Sequence, residues 1–474
     1  MSQPPLETSI DLHAALAAVP RACVAYSGGL DSSVLLHLAA AQRPAATALR
    51  ALHINHQLQP DADAWQAHCA ARCAELDLPF SARRVDAAAA RGESPEAAAR
   101  RARRSAFAAE LARGELLLLA QHGDDQIESV LLMLLRGSGP AGLAGMAERA
   151  SCGDGQLWRP LLGATRAQIA DYAARHGLRW VEDPSNADTA FARNHLRQRV
   201  LPALRAGPGF AGRGFTGRGS DGRDDGRDDG RQRGAAVAGA FARSARLCAE
   251  ADALLGELAE LDLQRAADGD CLSLTALRRL SAPRCRNLLR YWIAARGLPA
   301  PTEKQLQRVL NEVLFAREDA QCRVHWGAIG GGTAGRGDAA AQIRRYRDRL
   351  YLLAAGELVE PPAGRLLWAD PGQPLQIPGC DLRIQPALLD GLRLPPGARL
   401  EIGFRRGGER LRVACGADRR PITRPLKKLL QEAGLPPWQR GQVPLLFVDG
   451  ELAAALGVAC GANFAGFYKK LNNQ

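Results

Sequence analysis

Over its first 205 residues the chain alternates short apolar runs with amphipathic stretches of helical period, and that rhythm leaves few folds open. CVAYS (23–27) reads as a buried strand, followed by a helix from Ser32 to about Gln42. ALRALHINH (48–56) is a second strand, with a helix over 62–76; FSARRVD (80–86) is a third, with a long helix over 94–113 and Pro95 in its first turn. ELLLLAQH (115–122) is a fourth, running into a helix over 126–136. The pattern predicts an α/β fold, a Rossmann-like parallel sheet covered by helices on both faces. Ligands of such sheets sit beyond the carboxyl ends of the strands. Three of those ends carry polar clusters here: Ser27–Ser33, His53–Gln57 and His122–Glu128.

The first joint reads YSGGLDSSV (26–34). A glycine pair lets backbone amides approach an anion closely, and the helix start adds positive dipole potential. Ser27, Ser32 and Ser33 add hydroxyl donors, and Asp31, expected to face solvent, is placed to hold Mg²⁺ or to fix the loop. The first lysine of the chain is Lys304, which excludes a G-x-x-x-x-G-K-[ST] loop, a self-adenylating lysine and a lysine Schiff base from the N-terminal half. Backbone and hydroxyl donors must therefore do most of the phosphate binding. At the fourth strand end, His122, Asp125 and Glu128 recur every three residues and share one face of a helix start. Two carboxylates there suit an incoming ammonium and offer a proton acceptor; the alternative is simple complementation of a helix N-terminus.

Past this domain (1–205), residues 206–236 are rich in Gly, Arg and Asp with little to bury, and are expected to form a disordered linker. Residues 237–358 read as mainly helical, 359–399 as a Pro/Gly-rich connecting segment, and 400–474 as a small α+β unit. The net charge is +12, and residues 397–474 hold 13 Lys/Arg against 6 Asp/Glu, so +7 of it lies in the last 78 residues. That concentration points to a polyanion such as nucleic acid, gripped by the C-terminal domain; residues 237–358 are also expected to bind it. Eleven scattered cysteines with no C-x-x-C fit reduced thiols and a cytoplasmic location, and argue against zinc or cluster sites. No apolar run approaches a membrane span, and the N-terminus lacks the pattern of a secretory signal.

SGGLDS after a strand resembles the signature of the PP-loop ATP pyrophosphatases, with their adenine nucleotide alpha hydrolase type of fold. LHINHQLQPDAD (52–63), ESPEAAARRARRSAF (93–107), AQHGDDQIESVLLMLLRGSGPAGLAGM (120–146), WRPLL (158–162) and VEDPSNADTAFARNHLRQRVLPAL (181–204) resemble, in order and spacing, the tRNA(Ile)-lysidine synthetase family. The resemblance covers nearly all of 20–205 and continues more weakly to the C-terminus. It implies that ATP and Mg²⁺ adenylate C2 of the wobble cytidine of a CAU-anticodon isoleucine tRNA, and that free L-lysine then displaces AMP. Ala25, Ser27, Gly28, Gly29, Leu30, Asp31 and Ser32 match the family's ATP loop, with His53 beside the adenosine. Arg100 and Arg103 match a pair near the phosphates, and His122, Asp125, Glu128 and Asn194 match catalytic positions, Asp125 and Glu128 also serving lysine. The resemblance also leaves room for a homodimer. Two departures stand out: Arg104 where an aromatic often follows the arginine pair, which blurs the register within RRARR, and Gln121 where many members have histidine. The competing readings are a tRNA thiolase, which needs a reactive cysteine near the loop, and a PP-loop fold that only binds tRNA.

Overall fold

Cys23 and Val24 are fully buried because strands lie on both sides of them. The structure is a computed structural model that describes residues 5–57, 60–86, 88, 95–183, 192–206, 230–314, 322–327, 340–357, 361–379, 382–415 and 420–464. Strand β1 (Arg21–Ala25) pairs in parallel with β2 (Ala48–Asn55) on one side and β4 (Leu116–Leu118) on the other. With β3 (Phe80–Arg84), β5 (Arg149–Cys152) and β6 (Gly155–Trp158) the order is β3-β2-β1-β4-β6-β5. The four expected strands run parallel, joined by β6 as a fifth; the edge strand β5 is antiparallel, the first arm of a hairpin with β6 that the sequence reading passes over. Its strands are four residues each, too short for a visible period, and its turn rests on Gly153 at φ +55°.

Helices α1 (Leu30–Gln42), α2 (Ala62–Glu75), α3 (Pro95–Glu110), α4 (Gly123–Leu135) and α5 (Arg166–Arg175) flank the sheet. One apolar layer joins Val34, Leu35 and Leu38 to Val24 and Leu118. The other joins Phe107 and Leu111 to Cys23, Leu52 and Leu117. Each such buried aliphatic or aromatic side chain contributes roughly 1.5–3 kcal/mol. Helix α4 starts three residues earlier than the expected Gln126, because His122 caps it.

Two compact units divide the chain between Leu254 and Leu255, inside the long helix α6 (Gly230–Ala266). The Gly/Arg/Asp linker therefore ends at Gly230 and not at residue 236; its part from 207 to 229 lies outside the described residues. Val237 packs with Ile127 and Leu201, so the first half of α6 belongs with the sheet just described.

In the second unit the middle region is helical, as expected, and also carries a sheet. Strands β7 (Ala267–Asp268), β8 (Cys271–Ser273), β9 (Arg323–Trp326), β10 (Ala341–Tyr346) and β11 (Arg349–Ala354) take the order β7-β8-β11-β10-β9. Helix α7 (Ala282–Ala295) packs Leu288, Leu289 and Trp292 on one face of it. The segment 361–399 is more than a connector: Leu366–Leu367 pairs with Leu400–Phe404, and Trp368, Ile377 and Ile384 share a core with Ile402 and Leu446. The basic hairpin Arg410–Cys415 with Arg420–Pro425 and the helix Leu426–Glu432 complete the C-terminal part.

Candidate active site

The loop after β1 is shaped by two glycines. Gly28 has φ +86°, and a Cβ there would sit 2.8 Å from Cys69 Sγ on α2. Its carbonyl accepts from Val181 N at 2.9 Å, which ties the loop to the segment ahead of residue 184. Gly29 caps α1 without any side-chain cap bond, so the helix offers its first amides outward, as an anion requires. The three hydroxyls differ. Ser27 is exposed and 3.0 Å from Ser32 Oγ; Ser32 donates to Gly29 O at 3.0 Å. Ser33 is buried, 3.4 Å from Tyr26 OH and 3.5 Å from Gly28 O, and serves the loop's own structure rather than a ligand.

His53 ends β2 almost wholly buried, with Nδ1 2.9 Å from Tyr26 O and 3.6 Å from Cys69 Sγ. Donation from Nδ1 to that carbonyl leaves Nε2 as an acceptor. Burial holds this imidazole below its ordinary value, so it is neutral. Asn55 is an internal clamp, donating to Asp63 and Gln66 and accepting from Gln57 N.

At the end of β4, His122 is fully buried as the cap of α4. Its Nδ1 accepts from Asp124 N at 3.2 Å, and Asp125 Oδ2 accepts from His122 N at 3.0 Å. Its Nε2 lies 3.6 Å from both Asp31 Oδ2 and Asp125 Oδ2. Burial pulls His122 down, but Asp31, Asp125 and Asp124 outweigh it and hold the imidazole above its ordinary value. Asp31 is half-buried, not solvent-facing as the sequence reading expects: Oδ2 faces His122 and, at 3.9 Å, Arg166, while Oδ1 is shielded and has no partner. Burial opposes its charge, yet His122, Arg166 and Arg197 keep its carboxyl below the usual range. The fold thus joins the glycine loop to the His-x-x-Asp-x-x-Glu motif at the Asp31–His122 contact.

The carboxylates of that motif are already paired. Arg197 is bidentate on Glu128, at 2.7 and 3.1 Å, and reaches Asp125 Oδ1 at 3.0 Å; Arg193 stands 3.8 Å from Glu128. Arg205 meets Asp124 at 2.6 Å. Four carboxylates (Asp31, Asp124, Asp125, Glu128) therefore face four guanidiniums (Arg166, Arg193, Arg197, Arg205), an alternating network rather than a bare acidic patch. Glu128 has no exposed side-chain surface; burial raises its carboxyl above the ordinary range even against Arg197. Arg193 and Arg197 flank the expected Asn194, whereas Arg166 and Arg205 were missed, because nothing in their local spacing marks them. Asn194 is half-buried in the helical run 192–206 that carries Arg193 and Arg197.

The arginines of α3 divide. Burial first, then Arg103 and His53, depress His56 beyond the end of β2. Burial first, then Arg100 and Arg104, depress Arg159 just past β6. Arg159 is held by Gln121 Oε1 at 3.1 Å and Ala147 O at 2.6 Å, so the unusual Gln121 has a partner in the neighbouring strand end.

Comparison with known proteins bears on this arrangement. A family model described as a PP-loop domain matches residues 6–204, one described as the TilS substrate binding domain matches 272–351, and one described as the TilS substrate C-terminal domain matches 400–470. A tRNA(Ile)-lysidine synthase from Alkalilimnicola ehrlichii is 41% identical over 452 residues, 93% of this chain and 90% of that protein. Proteins of the same name from Serratia proteamaculans and Xanthomonas campestris are 41% and 40% identical, covering 92% and 91% of this chain and 90% and 89% of theirs. The U34-tRNA thiolase NcsA from Methanococcus maripaludis overlays with a TM-score of 0.39 at 13% identity, over 51% of this chain and 77% of that one, too loosely to bear on function. The relatives match over more than nine-tenths of the chain, and the three domain models follow one another along it: the chain belongs to the tRNA(Ile)-lysidine synthase family.

Proposed function

We propose that this chain ligates L-lysine to C2 of the wobble cytidine in the CAU-anticodon isoleucine tRNA, using ATP and releasing AMP and pyrophosphate. The observation that carries this reading is the Asp31–His122 contact, which sets the PP-loop against the carboxylate motif where two substrates have to meet. In the first step the cytidine C2 oxygen attacks the α-phosphorus and pyrophosphate leaves into the amides of Gly28, Gly29 and α1. In the second the lysine ε-amine attacks C2, AMP leaves with that oxygen, and the amine gives up its proton. Asp31 fits Mg²⁺: its Oδ1 is shielded and unpartnered, and Mg²⁺ commonly takes one or two carboxylates and completes its shell with substrate phosphates. No group of three or more His, Cys, Asp or Glu among the described residues could hold a metal by itself, which agrees with a cation that arrives with ATP. Bound there, Mg²⁺ would neutralise charge on the phosphates. Arg100 and Arg103 supply positive charge from α3, and His53, neutral and facing the loop, borders the adenosine side.

Lysine brings an ammonium to a place Arg197 now fills. Asp125 keeps some exposure, so the ammonium competes with Arg197 there, while the displaced guanidinium offers itself to the lysine carboxylate. Glu128, its carboxyl raised by burial, is suited to accept the proton once Arg197 loosens. Asn194 adds an amide beside them. A thiolating reading lacks its nucleophile: burial pushes the Cys69 thiol up to about 12 and the Cys73 thiol up to about 11. The middle and C-terminal parts hold the tRNA. The enzyme is taken to work in the cytoplasm, and no helix among the described residues is long and apolar enough to cross a membrane. A homodimer is the assembly to look for by sedimentation. The test of the site is Glu128→Gln, which should leave adenylation intact and let adenylated tRNA accumulate when lysine is present. Normal lysine saturation in that variant would contradict the assignment.

A further inference from the structure

The middle sheet turns one face into its core. Val324 and Trp326 of β9, Ala341 and Ile343 of β10, and Leu350 and Leu352 of β11 all point into its core. Strand alternation then puts Arg323, His325, Gln342, Arg344, Tyr346 and Tyr351 on the other face. The register sets Arg323 directly opposite Arg344, and His325 opposite Gln342. Like charges directly across a ladder are destabilising. Neither guanidinium meets a carboxylate among the described residues, although Arg349 on the same sheet is neutralised by both oxygens of Asp268. Burial and the Arg323 charge hold Arg344 below its ordinary value.

Arg344 is also fixed in place. Its Nε donates to Gln342 Oε1 at 2.9 Å, and its guanidinium lies over the Trp438 ring at 5.1 Å. Trp438 belongs to the C-terminal part and meets Tyr351 and Tyr346 edge-on, with ring centroids 5.3 and 6.3 Å away. Arg440 Nη2 donates to Tyr346 OH at 3.0 Å and Arg347 to Gln431 O at 2.7 Å, closing the junction. A repelling cation pair, with Arg344 held in place and no counter-ion for either among the described residues, is what an external polyanion needs. We propose that Arg323 and Arg344, with His325 and Gln342 beside them, seat the phosphodiester backbone of tRNA on the outer face of this sheet, continuous with the C-terminal part through Trp438. This rests on the tRNA reading above and names the surface that serves it. Backbone contacts of this kind position the RNA without reading its sequence.

The experiment is a titration of tRNA affinity against salt for full-length wild type, Arg323→Gln, the double variant R323Q/R344Q, and Arg349→Gln as a same-sheet control, with melting curves for all. Losing two phosphate contacts should flatten the log–log salt slope by about 1.5 and weaken binding roughly thirtyfold at 0.1 M salt. Arg323→Gln, exposed and outside the Trp438 junction, should give about half that flattening with a melt unchanged or slightly raised. Arg349→Gln should leave the slope alone. Parallel salt lines for wild type and R323Q, with tRNA still bound by both, overturn this surface and leave the functional reading standing. A wild-type protein that does not bind tRNA overturns both.

Discussion

Replacing Arg197 by alanine strips the bidentate partner from a carboxylate with no exposed surface, and the consequence can be worked out. Among the described residues Glu128 then faces only Arg193, at 3.8 Å, with Asp125 adding repulsion. Breaking a buried pair this way typically costs about 3–5 kcal/mol. Protonation sets a ceiling. From the ordinary carboxyl value of 4.5, taking up a proton at pH 7.5 costs about 4 kcal/mol, and at pH 6.0 about 2 kcal/mol. The sign follows from linkage. In the variant the folded-state carboxyl is raised further above its unfolded value, so the folded state binds more protons between the two, and stability is regained as pH falls. Because burial already raises the wild-type carboxyl, the penalty of R197A should shrink by up to about 2 kcal/mol between pH 7.5 and 6.0. Adding Glu128→Gln removes the buried charge, so the double variant should lose most of the penalty and nearly all of its pH dependence. Native-state hydrogen exchange at the amides of α4, corrected for intrinsic rates, reads this locally, which a whole-chain melt of two units does not. A penalty equal at both pH values, or a double variant no more stable than R197A, would refute the reasoning.

Gly28→Ala should destabilise by about 1–3 kcal/mol from its positive φ, and its Cβ would press on Cys69 Sγ. Melting curves and pyrophosphate release should both drop, and adding Cys69→Ala should recover part of the loss; a G28A protein equal to wild type in both would contradict the loop's geometry. Asp31→Asn should cut AMP and pyrophosphate release below about a tenth while leaving the fold intact, so retained cleavage in a well-folded variant removes Asp31 from the ATP step. Deleting residues 209–228 should leave activity and melting nearly unchanged, since each doubling of a loop costs only about 0.6 kcal/mol; a large fall in tRNA affinity would instead give that Gly/Arg/Asp segment an RNA-binding role.

The parallel sheet was legible because Val24 and Leu117 sit in strands buried on both faces, where the sequence shows a short unbroken apolar run. The three polar strand ends do converge, since a parallel sheet puts every such end on one edge. What the sequence could not show is the charge network. Arg197 lies 69 positions from Glu128 and Arg205 lies 81 from Asp124, and no local period links them. The acidic trio therefore looked bare when its counter-ions were merely distant. Asp31 looked solvent-facing for the same reason, because His122 approaches it from another strand. The β5–β6 hairpin and the strands within 361–399 were hidden by length, most being two to four residues long.

The measurement that bears most directly on the proposed activity is transfer of labelled lysine to RNA. Purified full-length protein is incubated with ATP, labelled L-lysine and the CAU-anticodon isoleucine tRNA, alongside the elongator methionine tRNA with the same anticodon, and the RNA is then digested to nucleosides. Label should appear in a modified cytidine from the isoleucine tRNA alone, require ATP, and match AMP release one for one. Folded protein that binds ATP and this tRNA yet leaves no label in its wobble cytidine would contradict the proposed function.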